Sequence, residues 1–412
     1  MENADFSAQT LDVGIEELDQ NEIERFKDLI KDKEPGSALL TLPLEEMLTA
    51  LGILKKTANS VRTTIAGLIL LGKETSIQTI LPSAELIYLH MTNETEYDKR
   101  INCTQPLLVL FDKISSEIQQ RNRSFSLKIG LFDYAIPNFP EVVIREALLN
   151  ALIHRDYRLL SPIYVRHYPD FLEIASPGNF LGGITPENIL THEPIIRNPL
   201  LMTILAKLGV VEKAGMGMKR IFTGLLSLGK EPPHFEVKEP FVRMIIHDGN
   251  VDELFATLII RRAKEGKELN LTELLVLSYL KRNREIEIKT ASHLLQRPEY
   301  KTKEILNALI ERGILEPFGQ TKGTVYRLSK EVFTKVRRSI EYRLHRRAEA
   351  AYAENVILEY VKENGYITNE VCRTLLRINR SQALYLLNRL VGKNKLTKPA
   401  KGRNARYLRR HT

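Results

Sequence analysis

The sequence predicts an α+β protein built in two unlike halves, and three observations predict it. Residues 137–250 mix apolar-periodic helices with short alternating strands and glycine-rich turns, as helices and a sheet sharing one core would. From about residue 268 the text is helical, broken twice by a strand–turn–strand ending, GILEPFGQTKGTVYRLS and KLTKPAKGRNARYLRR. Charge divides the chain at the same place. Val251 to Thr412 holds 34 Lys and Arg against 18 Asp and Glu, a net +16, while residues 1–250 hold 26 against 33, a net −7. With 412 residues, 43% hydrophobic and 27% charged, the chain has room for about two to four domains and is too apolar to be disordered.

The elements follow in order. Residues 1–60 read as a helical arm, IEELDQNEIERFKDLI and LEEMLTALGIL joined by KDKEPGSA, with no strand pattern. From Val61 to Met91 two apolar runs, TTIAGLILLG and AELIYLHM, flank the turn-forming ILPS and suggest an αβ unit, with GLILLG expected as a strand. PLLVLFDKISSEIQQR has helical spacing. Then come a long helix in IPNFPEVVIREALLNALIHRDY, a hairpin in IYVRHYPDFLEIASPG, and a helix NPLLMTILAKLG between glycine-rich segments, giving a domain over 61–250. Only Cys103 and Cys372 are present, which excludes a disulfide framework and a cysteine-rich zinc site. The first forty residues are acidic and polar, and no apolar run approaches about 20 residues. A cytoplasmic, nucleoid-associated protein without membrane partners is expected.

Within REALLNALIHRDY, Glu146, Asn150 and His154 recur every four residues and share one helix face. An Asn amide oxygen can coordinate Mg²⁺ while a Glu one turn earlier polarises a water. The competing reading is an amphipathic helix showing its polar side. Two downstream segments favour the chemical one. LEIASPGNFLGGI carries Gly178, Gly182 and Gly183 after a strand, and EKAGMGMKRIF sets Gly215 and Gly217 directly before a helix, whose free N–H groups accept phosphate.

This order resembles the GHKL ATPases of the Bergerat fold. More closely, REALLNALIHRDY, LEIASPGNFLGGI, IIRNPLLMTILAKLG and VEKAGMGMKRI are similar to the ATP-binding domain of prokaryotic helix-turn-helix regulators that are often called helicase-related and typically carry an N-terminal Schlafen-like AlbA domain. Residues 1–40 match at most the tail of that module. The resemblance covers about residues 40–250 and implies a GHKL-like α/β sandwich that uses ATP and Mg²⁺. It makes Glu146 the general base, Asn150 the Mg²⁺ ligand, Ser176–Pro177–Gly178 the adenine-side motif, and Gly215 and Gly217 the phosphate-binding glycines. His154, Gly182 and Gly183 join the nucleotide site, and the stretch from Gly183 to Ala214, with Arg197 and Asn198, becomes the lid. GHKL proteins usually have Asp where Ser176 stands, and an uncharged hydroxyl accepts a weaker hydrogen bond than a carboxylate.

Other short matches fail on chemistry. Gly67 to Glu74 copies Walker A spacing but ends in Glu instead of Ser or Thr. His154-Arg155-Asp156 imitates a kinase catalytic loop, yet Ser161 stands at the Mg²⁺-ligand position and no D-F-G follows. A helicase motor would need a P-loop. His167, His192 and His234 lack paired metal-ligand spacing.

Residues 268–330 give the order helix, helix, helix, hairpin of a winged helix-turn-helix. Lys301 and Lys303 open its third helix and Lys322 sits at the hairpin tip. After a basic helical connector over 331–353, residues 354–412 repeat the order. Arg380 and Gln382 begin the recognition helix, and Lys401, Arg403 and Arg406 decorate the wing. From Val371 to Thr412 there are 12 basic residues and no acid, which favours double-stranded DNA over a dimerisation or protein-binding role. The sequence therefore predicts an ATP-responsive DNA-binding transcriptional regulator acting as a homodimer. Its alternatives are a DNA-targeted GHKL ATPase in nucleic-acid processing or antiviral defence, with weak turnover, and a binding module with a degenerate pocket.

Overall fold

The structure is a computed structural model that describes residues 5–58, 60–129, 131–212, 215–249, 251–319, 324–332, 353–376, 380–393, 395–398 and 405–409, without the side chains of 380–382. The chain divides into two compact units, Met1–Val251 and Asp252–Thr412. The border falls where the charge changes sign.

Unit 1 begins with α1 (Gln20–Lys33), started by Asp19, whose carboxylate accepts from the Asn21 and Glu22 amides. Ile23, Phe26 and Ile30 recur at helical spacing and are buried. α2 (Leu44–Leu51) stops at Gly52 in a left-handed conformation. A two-stranded ladder, β1 (Leu54–Lys56) with β2 (Val61–Thr63), leads into α3 (Ile65–Leu71), followed by α4 (Glu74–Ile80). Residues 1–60, expected as a separate arm, thus share the core of the following residues and contribute a strand. GLILLG, expected as a strand, belongs to α3, a helix buried on every side whose N-cap Thr64 accepts from the Gly67 amide.

The centre of unit 1 is a mixed sheet of β3 (Leu86–Met91), β4 (Tyr97–Cys103), β7 (Ile163–His167), β8 (Phe171–Pro177), β9 (His234–Lys238) and β10 (Phe241–His247), in the order β4-β3-β7-β8-β10-β9. Only β3 and β7 are parallel, so the chain between them must cross over. It does so through α5 (Leu107–Arg121), a hairpin of β5 (Ser124–Ile129) and β6 (Phe132–Pro137), and α6 (Glu141–His154). In register, Tyr88, Val165, Ile174 and Met244 form one buried row across four strands. α6 packs against β8, α5 and α8 (Gly217–Leu226), and α7 (Pro199–Lys207) completes the unit. The N-terminus of α7 is satisfied from far away: Asp5 Oδ2 accepts from the Leu200 amide and Ser7 Oγ from the Leu201 amide. No strand pattern announced the β5–β6 hairpin.

Unit 2 opens with α9 (Glu253–Lys264), then α10 (Leu271–Arg282), β11 (Ile286–Glu287), α11 (Ile288–Leu295), α12 (Glu299–Glu311), β12 (Leu315–Phe318) and β13 (Val325–Leu328). The same order recurs as a helix over 353–364, β14 (Tyr366–Thr368), helices Asn369–Leu376 and Arg380–Gly392, β15 (Leu396–Thr397) and β16 (Arg406–Arg409). Both three-stranded sheets place the last strand in the middle. Each repeat also buries one carboxylate at the start of its first helix against a base at the end of its third: Glu273 with Arg312, and Glu354 with Arg389 and Lys393. Among the described residues no helix is long and apolar enough to cross a membrane.

Candidate functional site

Unit 1 holds a cavity of about 220 Å³ between α6, the ends of β8 and β10, the irregular segment 178–198 and the start of α8. Asn150 and His154 face it because they lie one turn apart on α6, and the small Ala147 and Ala151 beside them leave room. On β8, Ile174 and Ser176 share a sheet face, and their register partners on β10, Met244 and Val242, extend it. Ile174, Val242 and Met244 therefore give the cavity an apolar wall on the sheet side.

The Ser176 hydroxyl donates to the Ala151 carbonyl at 2.9 Å, so toward a ligand it has only lone pairs to offer. The Nδ2 of Asn150 is buried with no hydrogen-bond partner among the described residues. His154 has surface open to the cavity, but desolvation by the surrounding protein, followed by the Arg197 charge, pushes its imidazole down to about 4. It is neutral at pH 7.

Gly217 begins α8, which has no side-chain N-cap. A Cβ on it would stand 2.9 Å from Glu146 Oε2 and 3.4 Å from both amide atoms of Asn150, so the helix start closes on α6 only because this residue has no side chain. Gly178 sits at φ +113°, and a Cβ there would press on Asp156 and the Arg197 guanidinium. Gly215 also lines the cavity, whereas Gly182 and Gly183 turn the 178–198 segment without lining it.

Three expected residues have partners within the protein. Glu146 does not line the cavity; 7% exposed, its Oε1 accepts from Arg145 at 2.9 Å and from Arg220 at 3.3 Å. Asn198, 1% exposed, donates to the Ile153 and Arg155 carbonyls and pins the end of α6. Arg197 lines the cavity but binds the His154 carbonyl at 3.0 Å, Asp156 at 3.2 Å and the Asn179 carbonyl. It ties segment 178–198 to α6. Asp156 receives a bidentate grip from Arg158 as well, which holds its carboxyl below the usual carboxylate range.

The motif reading missed Arg145, Arg220 and Asp156. The first two flank Glu146 and Gly217 in sequence, which was the available signal.

In unit 2, Lys301 and Lys303 are exposed near the start of α12. Arg406 is exposed on β16 with its guanidinium 4.4 Å from the Tyr366 ring centre. Arg380 and Gln382 lie in the helix Arg380–Gly392, with side chains that are not described, and Lys322, Lys401, Arg403 and most of the connector over 331–353 lie outside the described residues.

Residues 161–246 match a family model described as "Putative ATP-dependent DNA helicase recG C-terminal", and residues 2–87 match one described as "Domain of unknown function (DUF8451)". The first spans β7, β8, α7, α8, β9 and most of β10 and supports an ATPase-like domain in this part of the chain; it begins after α6. No curated protein matches the chain. Among solved structures, the DIP2311 protein from Corynebacterium diphtheriae is similar at 24% identity and a TM-score of 0.66. The similarity covers 82% of this chain and 66% of that one, just under two thirds of its length, and it shows the fold.

Proposed function

We propose that the chain is an ATP-responsive, DNA-binding transcriptional regulator, with a GHKL-like nucleotide site in unit 1 and two winged helix-turn-helix domains in unit 2. The observation that carries the nucleotide reading is the meeting of Asn150, whose buried Nδ2 has no partner among the described residues, with the uncapped, side-chain-free start of α8. The unpartnered Nδ2 is a donor and suits an acceptor such as a phosphate oxygen, as do the backbone amides of Gly217, Met218 and Lys219, while the Asn150 side-chain oxygen is the type of group that takes a cation. Asn150 would hold Mg²⁺, which when bound neutralises phosphate charge. Ser176 accepts from the exocyclic amino group of the base, with its own proton committed to Ala151. The apolar wall formed by Ile174, Val242 and Met244 takes the ring.

Support for DNA binding is the net +16 of Val251–Thr412, the exposed Lys301 and Lys303, and the twice-repeated helix–helix–hairpin order. Nucleotide would order segment 178–198 and thereby bias a homodimer's grip on its operator.

A DNA-targeted ATPase is the second reading, favoured by the nearness of the Glu146 carboxylate to the start of α8. Calorimetric titration of the intact chain with Mg·ATP tests the common premise. Wild type should bind and Asn150→Ala should lose the Mg²⁺-dependent part, with the same melting temperature; absence of binding by wild type would remove the nucleotide reading.

A further inference from the structure

Glu146 is held by two arginines, one from its own helix and one from α8. Arg145, next to it on α6, donates through Nη1 to Glu146 Oε1 and through Nη2 to the Val210 carbonyl. Arg220, on the first turn of α8, donates through Nη1 to the same Oε1 at 3.3 Å and through Nη2 to Glu212 Oε2 at 2.6 Å. Two guanidiniums thus span the same gap, each with one end on the buried carboxylate and the other on the segment Val210–Glu212. In sequence that segment shortly precedes Gly215 and Gly217, which line the cavity. Neither arginine lines the cavity itself.

We propose that Arg145 and Arg220 are positioning residues that act through Glu146 and Glu212, latching the Val210–Glu212 segment to α6 so that Gly215 and the start of α8 stand at the height nucleotide phosphates require. This rests on the nucleotide reading and names the parts that hold its phosphate side. The physical case is the fork geometry of arginine, which can satisfy two oxygens on different elements at once. Losing one fork leaves a buried carboxylate with half its compensation, and the segment is then free to drift from α6. The Ser176 side of the cavity belongs to β8 and the middle of α6 and does not depend on the latch.

A direct phosphate contact by Arg220 makes the opposite prediction at Glu212. If the arginine binds phosphate, Glu212 competes for it, and Glu212→Gln should tighten ATP. If the arginine latches the segment, Glu212→Gln removes the anchor and should weaken ATP. Glu212 is suited to the test, since its side chain is 60% exposed and its replacement buries nothing.

The experiment measures ATP, ADP and adenosine binding by calorimetry on the full chain for wild type, Arg145→Gln, Arg220→Gln, Arg220→Lys and Glu212→Gln. Hydrogen exchange of the amides in 208–216 is followed in the ligand-free protein. We expect each Gln variant to weaken ATP and ADP about tenfold, one lost charge-assisted bond, while adenosine is unchanged. Arg220→Lys should recover part of the loss, and exchange in 208–216 should speed up in the Gln variants. Tighter ATP binding by Glu212→Gln, an equal loss of adenosine affinity, or unchanged exchange would each overturn the latch. Wild type that binds none of the three ligands but shows faster exchange on Arg220→Gln would remove the nucleotide reading while retaining the mechanical link; the phosphate role proposed for it would fall.

Discussion

Replacing Gly217 by Ala separates folding from ligand binding more cleanly than any other single change at the cavity. Gly217 is not in a left-handed conformation, so Ala adopts its backbone without strain, and at the first position of α8 a methyl group does not hinder the helix. The cost is local. Its Cβ would stand 2.9 Å from Glu146 Oε2, about half an ångström inside an ordinary carbon–oxygen contact, and 3.4 Å from both Asn150 amide atoms. Glu146 cannot simply swing aside, because Oε1 is gripped by Arg145 and Arg220. The helix start must therefore back away from α6, taking its free N–H groups with it. One or two hydrogen bonds to a charged phosphate are worth about 1.5–3 kcal/mol each, so ATP should bind about 10- to 100-fold more weakly. Calorimetry with Mg·ATP, beside a thermal melt of each protein, reads both quantities. Wild-type ATP affinity at an unchanged melting temperature would refute the placement of phosphates at this helix.

Three further outcomes can be checked. Ser176→Asp should tighten ATP relative to GTP in a competition titration, because a carboxylate accepts from an amino group more strongly than a hydroxyl does and repels a base oxygen; equal effects on both would show that residue 176 does not read the base. His167 is 4% exposed, meets the Tyr88 hydroxyl at 3.1 Å, and is pushed down to about 4 from 6.5, chiefly by desolvation and then by the charge of His90. The unfolded chain therefore takes up this proton first, so the stability it supports is present above about pH 6.5 and is lost as pH falls toward 4; urea unfolding at pH 7 and pH 5 should differ by about 2 kcal/mol more for wild type than for His167→Gln. Converting Lys301 and Lys303 together to Gln should reduce the salt slope of DNA binding by roughly two units if both meet phosphate, and an unaltered slope in a filter-binding series would move the contact elsewhere.

What could be read in advance followed from local spacing. Asn150 and His154 share the cavity because a four-residue interval sets two side chains on one helix face, and the glycine-rich segments singled out Gly178 and Gly217, where the structure leaves little room for a Cβ. The Arg220–Glu146 pair joins residues 74 apart, with no spacing rule to announce it. Phe235, Val242 and Met244 enter the cavity through sheet register, which carries no motif. α3 was mistaken for a strand because a helix buried on all sides has no polar stripe to show its period. β11 and β14, of two and three residues, are too short for alternation to register.

The capping of α7 by Asp5 and Ser7 spans 195 and 194 residues of chain. During synthesis those two side chains leave the ribosome long before the amides they will accept from exist. The helix that follows segment 178–198 therefore acquires its first-turn partners only after most of unit 1 has been made. Asp5 and Ser7 thus work as a late clasp on the start of α7.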